Sequence, residues 1–348
     1  TPITGLCSVE EGYMAEGMTW SVTDGDKLTQ AEVYGEVLSQ LGERYPDLVA
    51  LTADLASSTK IGRFGKKFPE RFFNVGIAEN TMFGMAAGLA QAGLRPVVST
   101  FAAFTALRSA EQVRTDICYQ NLNVKIISTH AGISFGQAGS THHCTEDLAV
   151  MRSFANMTVI VPADGIETGN AVVAAMEWPG PVYIRVGRGF EPPVNKTQDY
   201  GYAIGRAITM RDGRDVAIIA CGVGVLQAMR AADVLDRQGL SARVINMHTI
   251  KPIDRDAIIK AVTDTRRIIT VEEHNVMGGL GSAVAEVIVE NGKACAFRKL
   301  GVPDCYSIVG YPEDLYHHYK FDADGIVETV GELMRLEIEE DEDWEDEA

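Results

Sequence analysis

The sequence has few basic residues for its size. Its 348 residues include 31 lysines and arginines against 48 aspartates and glutamates, which gives a formal net charge of −17. Nine of these acidic residues lie between Glu337 and Glu347, a run that is typical of a solvated, disordered chain end. Proteins that bind nucleic acids or anionic membrane surfaces present a basic face to the phosphate groups. The charge balance therefore argues against a nucleic-acid or membrane partner.

Long hydrophobic runs and paired cysteines are also missing. The sequence contains no stretch of about 18 apolar residues that could span a bilayer, and no charged start followed by an apolar core marks an export signal. The six cysteines form no Cys-x-x-Cys pair, and their spacing is typical of neither a zinc site nor a disulfide framework. We therefore expect reduced thiols and a cytoplasmic protein.

The sequence does contain an alternation of short apolar runs and helical patterns. Predicted strands occupy residues 48–54, 71–76, 95–100, 124–130, 157–163, 181–187, 216–222, 242–249 and 267–273. Predicted helices occupy residues 29–44, 77–92, 103–120, 164–178, 224–238, 254–263 and 280–291. Apolar strands that alternate with helices are typical of a parallel sheet covered on both faces. We expect an α/β fold made of two doubly wound domains with mostly parallel sheets.

Composition indicates where these domains begin and end. Residues 188–201 contain two prolines and two glycines and show little periodicity, which favours a linker. Around this linker the predicted organisation is an N-terminal extension (1–25), a first domain (26–187), a second domain (202–335) and an acidic tail (336–348).

Reactive side chains follow the predicted strands of the first domain at their carboxyl ends. They are Asp54, Ser58, Glu79, Phe101, Phe104, His130, His142, His143 and Arg188. A lone glutamate is more often a solvated helix start, and a lone phenylalanine is more often part of a core. Ligands of open α/β sheets, however, bind beyond the carboxyl ends of the strands. The convergence of these residues on one rim of the sheet therefore predicts a binding or catalytic site.

Three motifs in this region resemble the pyrimidine-binding domain of transketolases, in the family's order and spacing. They are Asn74-Val-Gly-Ile-Ala-Glu-Asn, Ser99-Thr-Phe-Ala-Ala-Phe and Thr129-His-Ala-Gly-Ile-Ser-Phe-Gly-Gln-Ala-Gly-Ser-Thr-His. The resemblance extends from about residue 28 to residue 335 and includes the transketolase C-terminal domain. It is greatest for the C-terminal subunit of bacterial transketolases that are encoded as two chains.

The resemblance implies a thiamine diphosphate enzyme that moves a two-carbon ketol unit from a ketose to an aldose. Glu79 would hydrogen-bond N1′ of the cofactor's aminopyrimidine ring and act in catalysis. Phe101 and Phe104 would pack around this ring, and Leu107 stands where the family has a third pocket aromatic. Asp54 would lie near the cationic thiazolium.

The resemblance also implies a set of substrate-binding residues. His130 and His142 would contact the sugar hydroxyls and contribute to catalysis. Ser58 and Arg188 would bind a terminal anion, which the forked guanidinium of arginine suits.

Two departures from the family pattern concern the substrate. Where the family loop reads Gly-Glu-Asp-Gly, this chain has Gly136-Gln-Ala-Gly, so Ala138 replaces an aspartate that contacts the acceptor sugar. The family's phosphate-binding arginine has no match around Ala31-Glu32, where an acid would repel an anion. We therefore expect a sugar other than the xylulose 5-phosphate and ribose 5-phosphate pair, such as a branched, deoxy or sulfonated one.

The sequence contains no Gly-Asp-Gly, the motif with which the family binds Mg²⁺ and the cofactor's diphosphate. The resemblance thus implies a partner, an N-terminal transketolase subunit that carries this motif and a downstream asparagine. We expect an α2β2 heterotetramer with the active site at the interface and assign no metal ligand to this chain. His142-His143-Cys144 is a poor metal cluster because consecutive side chains point apart.

Other interpretations remain open at this point. The β subunit of a 2-oxo acid dehydrogenase shares the glutamate motif and the domain order, but His130 and Thr141-His142 suit a polyhydroxylated sugar better than a keto acid. A non-catalytic scaffold subunit is the third hypothesis, which the presence of Glu79 disfavours. Gly278-Gly-Leu-Gly-Ser opens a predicted helix, where it either binds an anion or allows a close backbone approach.

Overall fold

A computed structural model of the chain describes residues 20–22, 29–189, 191–195 and 197–336. The predicted extension and the predicted acidic tail lie almost entirely outside these residues. The described part contains two mostly parallel α/β sheets, which confirms the predicted fold class. None of its helices has the length and hydrophobicity that a membrane span requires.

The first sheet has seven strands, six of which come from the first half of the chain. These six are β1 (Leu48–Thr52), β2 (Phe72–Asn74), β3 (Arg95–Ser99), β4 (Lys125–Ser128), β5 (Thr158–Ile160) and β6 (Val182–Arg185). They pair in parallel in the order β5-β6-β4-β3-β1-β2. β1 is buried along its whole length, as expected of an apolar strand that is covered on both faces.

Helices cover both faces of this sheet. They are α1 (Gln30–Arg44), α2 (Gly62–Lys67), α3 (Glu79–Gln91), α4 (Ala110–Gln112), α5 (Asp147–Ser153) and α6 (Gly165–Glu177). α1 begins with a capping box, in which the side chains of Thr29 and Glu32 each bind the other's backbone N–H. The predicted helix 103–120 is irregular, because π-helical segments (Phe104–Arg108 and Val113–Cys118) flank α4. Such π turns occur mostly as single turns and often at functional sites.

The second sheet has five strands in the order β12-β11-β8-β9-β7. They are β7 (Ile208–Arg211), β8 (Val216–Ala220), β9 (Ala242–Asn246), β11 (Arg267–Asn275) and β12 (Ala296–Val302). Its helices are α7 (Gly224–Arg237), α8 (Arg255–Thr265), α9 (Leu280–Glu290), α10 (Pro312–His318) and α11 (Ala323–Met334). The sequence prediction missed β7 and β12, which are the edge strands and are mostly half-buried, so that their apolar pattern is weak.

The single predicted strand 242–249 is wrong, because the chain changes sheets within it. β9 ends at Asn246, and a separate strand, β10 (Thr249–Lys251), pairs antiparallel with β5 of the first sheet. Between them, the carbonyl of His248 accepts a hydrogen bond of 2.7 Å from the backbone of Val161. A continuous apolar run indicates burial but cannot show which sheet buries it, so periodicity alone could not locate this crossing.

The linker prediction corresponds to a segment without helices or strands whose described residues are held against the first sheet. The Oδ2 atom of Asp164 accepts hydrogen bonds from the backbone of Val194 (2.8 Å) and Asn195 (2.9 Å). Further along, the Tyr200 hydroxyl donates to Glu167, which also accepts from Asn246 at the end of β9. These contacts join the segment to both halves of the chain.

The buried His248 predicts a pH dependence of stability. Burial lowers the pKa of His248 from 6.5 to about 3, so the unfolded chain takes up this proton first and stability falls as the pH drops below 6.5. Between about pH 7 and about pH 5 this group should cost about 2 kcal/mol of unfolding free energy. Chemical denaturation at both pH values should therefore show a smaller loss in His248→Phe than in the parent. The exposed His318→Gln should match the parent, and an equal loss in all three proteins would contradict the prediction.

Candidate active site

The predicted rim residues lie at the carboxyl ends of adjacent parallel strands. Asp54 follows β1, Phe101 follows β3, His130 follows β4 and Arg188 follows β6, while Glu79 is the first residue of α3 after β2. An additional parallel bridge between Phe101 and Thr129 extends β3 and β4 towards the rim. Because these strands neighbour each other in one sheet, their ends form one surface.

Aromatic and imidazole rings form the centre of this surface. The Phe101 ring stacks on His130 with 3.9 Å between ring centroids and on Phe104 with 5.5 Å. The His142 ring lies 5.9 Å from Phe104 and 5.8 Å from Phe135. The structure thus brings together four predicted residues. Phe135, which also contacts His130, was not singled out, and its place in the third motif was the only sequence signal for it.

His130 is a buried, uncharged imidazole. Its backbone has a φ of +59°, which only a few per cent of non-glycine residues adopt. Burial lowers its pKa to about 3, with further contributions from the positive charges of Arg188 and Lys60 and from His142. Its Nδ1 atom lies 2.9 Å from the Thr129 hydroxyl. At neutral pH, His130 can therefore exchange hydrogen bonds with a ligand without carrying a charge.

Glu79 is buried at the amino end of α3, where the helix dipole favours a negative charge. Its side chain is 3% exposed, and Arg108 Nη1 donates to both carboxylate oxygens at 2.9 and 3.0 Å. The Arg108 guanidinium also lies 4.2 Å from the Phe104 ring centroid. Sequence analysis missed Arg108, although its spacing of four residues from Phe104 is a helical contact distance. Arg108 therefore connects the carboxylate with the aromatic rings.

Positive charge collects on the opposite side of the rings. The Arg188 guanidinium lies 4.7 Å from the centroid of the Phe135 ring, and its backbone N–H donates to the Ser134 hydroxyl. Lys60 is close enough to depress the pKa of His130, and it follows the exposed Ser58 by two residues. Lys60 was not predicted, because no motif marks the loop that contains it. The arrangement can attract an anion next to His130.

The acid at position 32 is already engaged in structure. A Glu32 carboxylate oxygen accepts hydrogen bonds of 3.0 Å from both the backbone and the hydroxyl of Thr29. The backbone hydrogen bond from Thr29 lowers the pKa of Glu32, with smaller contributions from Lys60 and Arg63. Its charge is therefore partly offset by neighbouring cations, which weakens the predicted repulsion of an anion.

Two predicted cofactor residues lie at the periphery. Asp54 is exposed, and its hydrogen bonds are with Asn74: its backbone N–H donates to Asn74 Oδ1 at 3.0 Å. Leu107 is 53% exposed, next to Arg108. Ile77, two residues before Glu79, is 79% exposed. The carboxylate site is thus bordered by apolar side chains that face outwards.

The glycine-rich start of α9 is explained by close approach and not by an anion site. The Glu272 carboxylate accepts hydrogen bonds from the backbones of Leu280 (2.7 Å) and Gly281 (2.8 Å). A Cβ at Gly279 would lie 2.0 Å from Glu272 Oε2. An acidic side chain of the protein itself therefore occupies the position that an anion would take.

Comparison with known proteins is consistent across both halves of the chain. Residues 26–191 match the pyrimidine-binding domain of transketolase, and residues 205–326 match the transketolase C-terminal domain. One of the two subunits of an apulose-4-phosphate transketolase from Phocaeicola vulgatus is 40% identical over 302 residues, which cover 87% of this chain and 96% of that protein. A 6-deoxy-6-sulfo-D-fructose transketolase subunit, SqwH, from Clostridium sp. is 36% identical and covers 87% of this chain and 93% of its own length.

A solved structure supports the same relationship. A split gene transketolase described as an inactive β4 tetramer superposes with a TM-score of 0.83 at 44% identity. The match covers 89% of this chain and 100% of that one.

Proposed function

This chain belongs to the transketolase family, and we propose that it is one subunit of a two-chain, thiamine diphosphate-dependent transketolase. The enzyme would transfer a two-carbon ketol unit from a ketose to an aldose, one of them carrying an anionic group. The observation that carries the proposal is the buried Glu79 carboxylate beside the Phe101–Phe104 pair, connected to it by Arg108.

The residues at the rim fit the pyrimidine end of thiamine diphosphate. A buried carboxylate can accept a hydrogen bond from a protonated ring nitrogen, and Phe101 and Phe104 present rings that suit a flat heteroaromatic. Glu79 would hold and share a proton at N1′ of the pyrimidine. Arg108, which is 49% exposed, would release at least one carboxylate oxygen for this contact. When bound, the cofactor supplies the carbon nucleophile and the electron sink that ketol transfer requires.

The opposite side of the rings suits the sugar. Neutral His130 and half-buried His142 would bind hydroxyl groups and orient the carbonyl carbon, since imidazole nitrogens can both donate and accept. Arg188 and Lys60, together with the Ser58 hydroxyl, would bind the terminal anion. The names of two relatives, an apulose-4-phosphate and a 6-deoxy-6-sulfo-D-fructose transketolase subunit, support an anionic sugar as substrate.

A partner subunit would complete the site. Large apolar side chains are exposed on the segments around Glu79, which include α3 and the π-helical segments packed against it. They are Ile77, Met85, Leu107 and Tyr119. Exposed apolar patches of this kind favour a protein interface. The inactive β4 form of a split-gene relative supports the same view, and we propose that the partner carries the Mg²⁺ and diphosphate ligands in an α2β2 assembly.

The first prediction concerns the isolated chain. Because this chain has no Gly-Asp-Gly motif, the purified chain should show no micromolar binding of thiamine diphosphate with Mg²⁺ and no ketol transfer. Adding the product of a neighbouring reading frame that contains this motif should restore both. Calorimetry and a coupled ketose assay, each with and without that partner, measure the effect. Micromolar binding by the isolated chain would contradict the proposed division of the site.

The second prediction concerns Glu79. In the assembled enzyme, Glu79→Gln should lower kcat by about 10²–10⁴-fold, because an amide cannot share a proton with N1′. Light scattering should show unchanged assembly. Glu111→Gln, which alters an exposed carboxylate on α4, is the matched control and should retain parental kcat. Parental activity in Glu79→Gln would mean that the carboxylate has been assigned the wrong role.

The third prediction concerns the substrate. Because Ala138 replaces the carboxylate that contacts ordinary acceptors, kcat/KM should be highest for a branched, deoxy or sulfonated anionic sugar. Ala138→Asp should leave the preferred reaction no faster and shift preference towards ordinary aldose phosphates. A panel of ketoses and aldehydes, tested with both subunits present, measures this. A wide preference for xylulose 5-phosphate with ribose 5-phosphate would be the opposite result.

A further inference from the structure

The residues proposed to contact the sugar lie on a single loop, residues 130–143, which we call the histidine loop. It begins at His130 after β4 and contains His142 near its other end. At its base, Gly132 and Cys144 exchange two backbone hydrogen bonds, of 2.9 and 2.8 Å. The two histidines therefore depend on one closed segment for their relative placement.

The second half of the chain contacts this base through Glu273. Glu273 lies on β11 in the other sheet and is almost fully buried. The backbone N–H of Ile133 donates to Glu273 Oε1 at 3.1 Å. Gly132 has a φ of +60°, and a Cβ there would lie 2.5 Å from Glu273 Cδ. The carboxyl group thus fills the space directly against the loop backbone, and only glycine at position 132 allows this approach.

The position of Glu273 is itself fixed by other side chains. Tyr316 donates its hydroxyl to Glu273 Oε1 at 3.3 Å, and Arg185 Nη1 lies 3.7 Å from Oε2. Arg185 also donates to the carbonyls of Glu273 (2.8 Å) and Cys144 (3.4 Å). Arg185 and Glu273 therefore contact both strands of the loop base, one at Ile133 and the other at Cys144.

We propose that Glu273 is a positioning residue, which holds the base of the histidine loop and thereby places His130 and His142 for sugar binding. The proposal deepens the proposed transketolase function and rests on it for its catalytic consequence. It also gives the second domain a role in the active site, although no second-domain residue lies among the rings. Glu79, Phe101 and Phe104 lie outside the loop, so cofactor binding should not depend on Glu273.

Loss of the acceptor should free the loop without removing the histidines. In Glu273→Met the Ile133 N–H has no carboxyl acceptor, and hydrogen exchange at residues 131–143 should become at least about tenfold faster. In the assembled enzyme, KM for the sugars should rise about tenfold while kcat changes much less, since the loss affects ground-state and transition-state binding alike. The affinity for thiamine diphosphate should remain parental.

Glu272→Met is the matched control. Glu272 is the adjacent buried carboxylate on β11, but its hydrogen bonds are with the start of α9. This variant should speed exchange around residues 280–290 and leave the histidine loop and the sugar KM unchanged. Tyr316→Phe removes only one hydroxyl from Glu273, and it should change loop exchange and KM in the same direction as Glu273→Met, by a smaller factor.

The outcomes separate the two hypotheses. Unchanged loop exchange in Glu273→Met, or equal changes in Glu273→Met and Glu272→Met, would overturn the positioning role. If Glu273→Met cannot be purified, Tyr316→Phe decides: faster loop exchange supports the role, and parental exchange overturns it. Absence of ketol transfer in the parental assembly would contradict the proposed function, while the exchange measurement on the full chain would still decide whether Glu273 holds the loop.

Discussion

The structure depends on a buried ion-pair cluster centred on Arg185, at the junction of its two sheets. Arg185, on β6 of the first sheet, donates to Asp147 Oδ2 at 2.8 Å and lies 3.7 Å from Glu273 on β11 of the second sheet. Buried charges cost free energy unless they meet partners, so the sheets pack favourably only where these groups meet. The same arrangement presses Glu273 against Gly132 and so sets where the histidine loop starts.

With its base held in this way, the first sheet presents two chemically different surfaces around one group of rings. On one side, Glu79 offers a buried carboxylate bordered by exposed apolar side chains, which suits a heteroaromatic group and a covering partner. On the other, Arg188 and Lys60 place positive charge next to the uncharged His130. Burial of His130 keeps it neutral, so the cations can attract an anion while the imidazole remains free for hydroxyl groups.

Much of the fold could be predicted because strands buried on both faces are continuous apolar runs. β1, β4 and β8 are such strands, and each was located from its composition. The edge strands β7 and β12 were missed because half-buried strands lose that pattern. The crossing at β10 was also missed, since Thr249 is equally buried whichever sheet it joins. Sequence periodicity reports burial, and it does not report the neighbour.

For the candidate site, the sequence by itself determined which side chains reach the rim. Glu79, Phe101 and His130 each follow a predicted strand, and the direction of parallel strands brings their ends to one edge. Only the tertiary structure decided what each of them meets. Arg108 is 29 residues from Glu79, and Glu273 is 140 residues from Ile133. Contacts over such separations arise from the packing of whole helices and sheets, so no local pattern of residues can encode them.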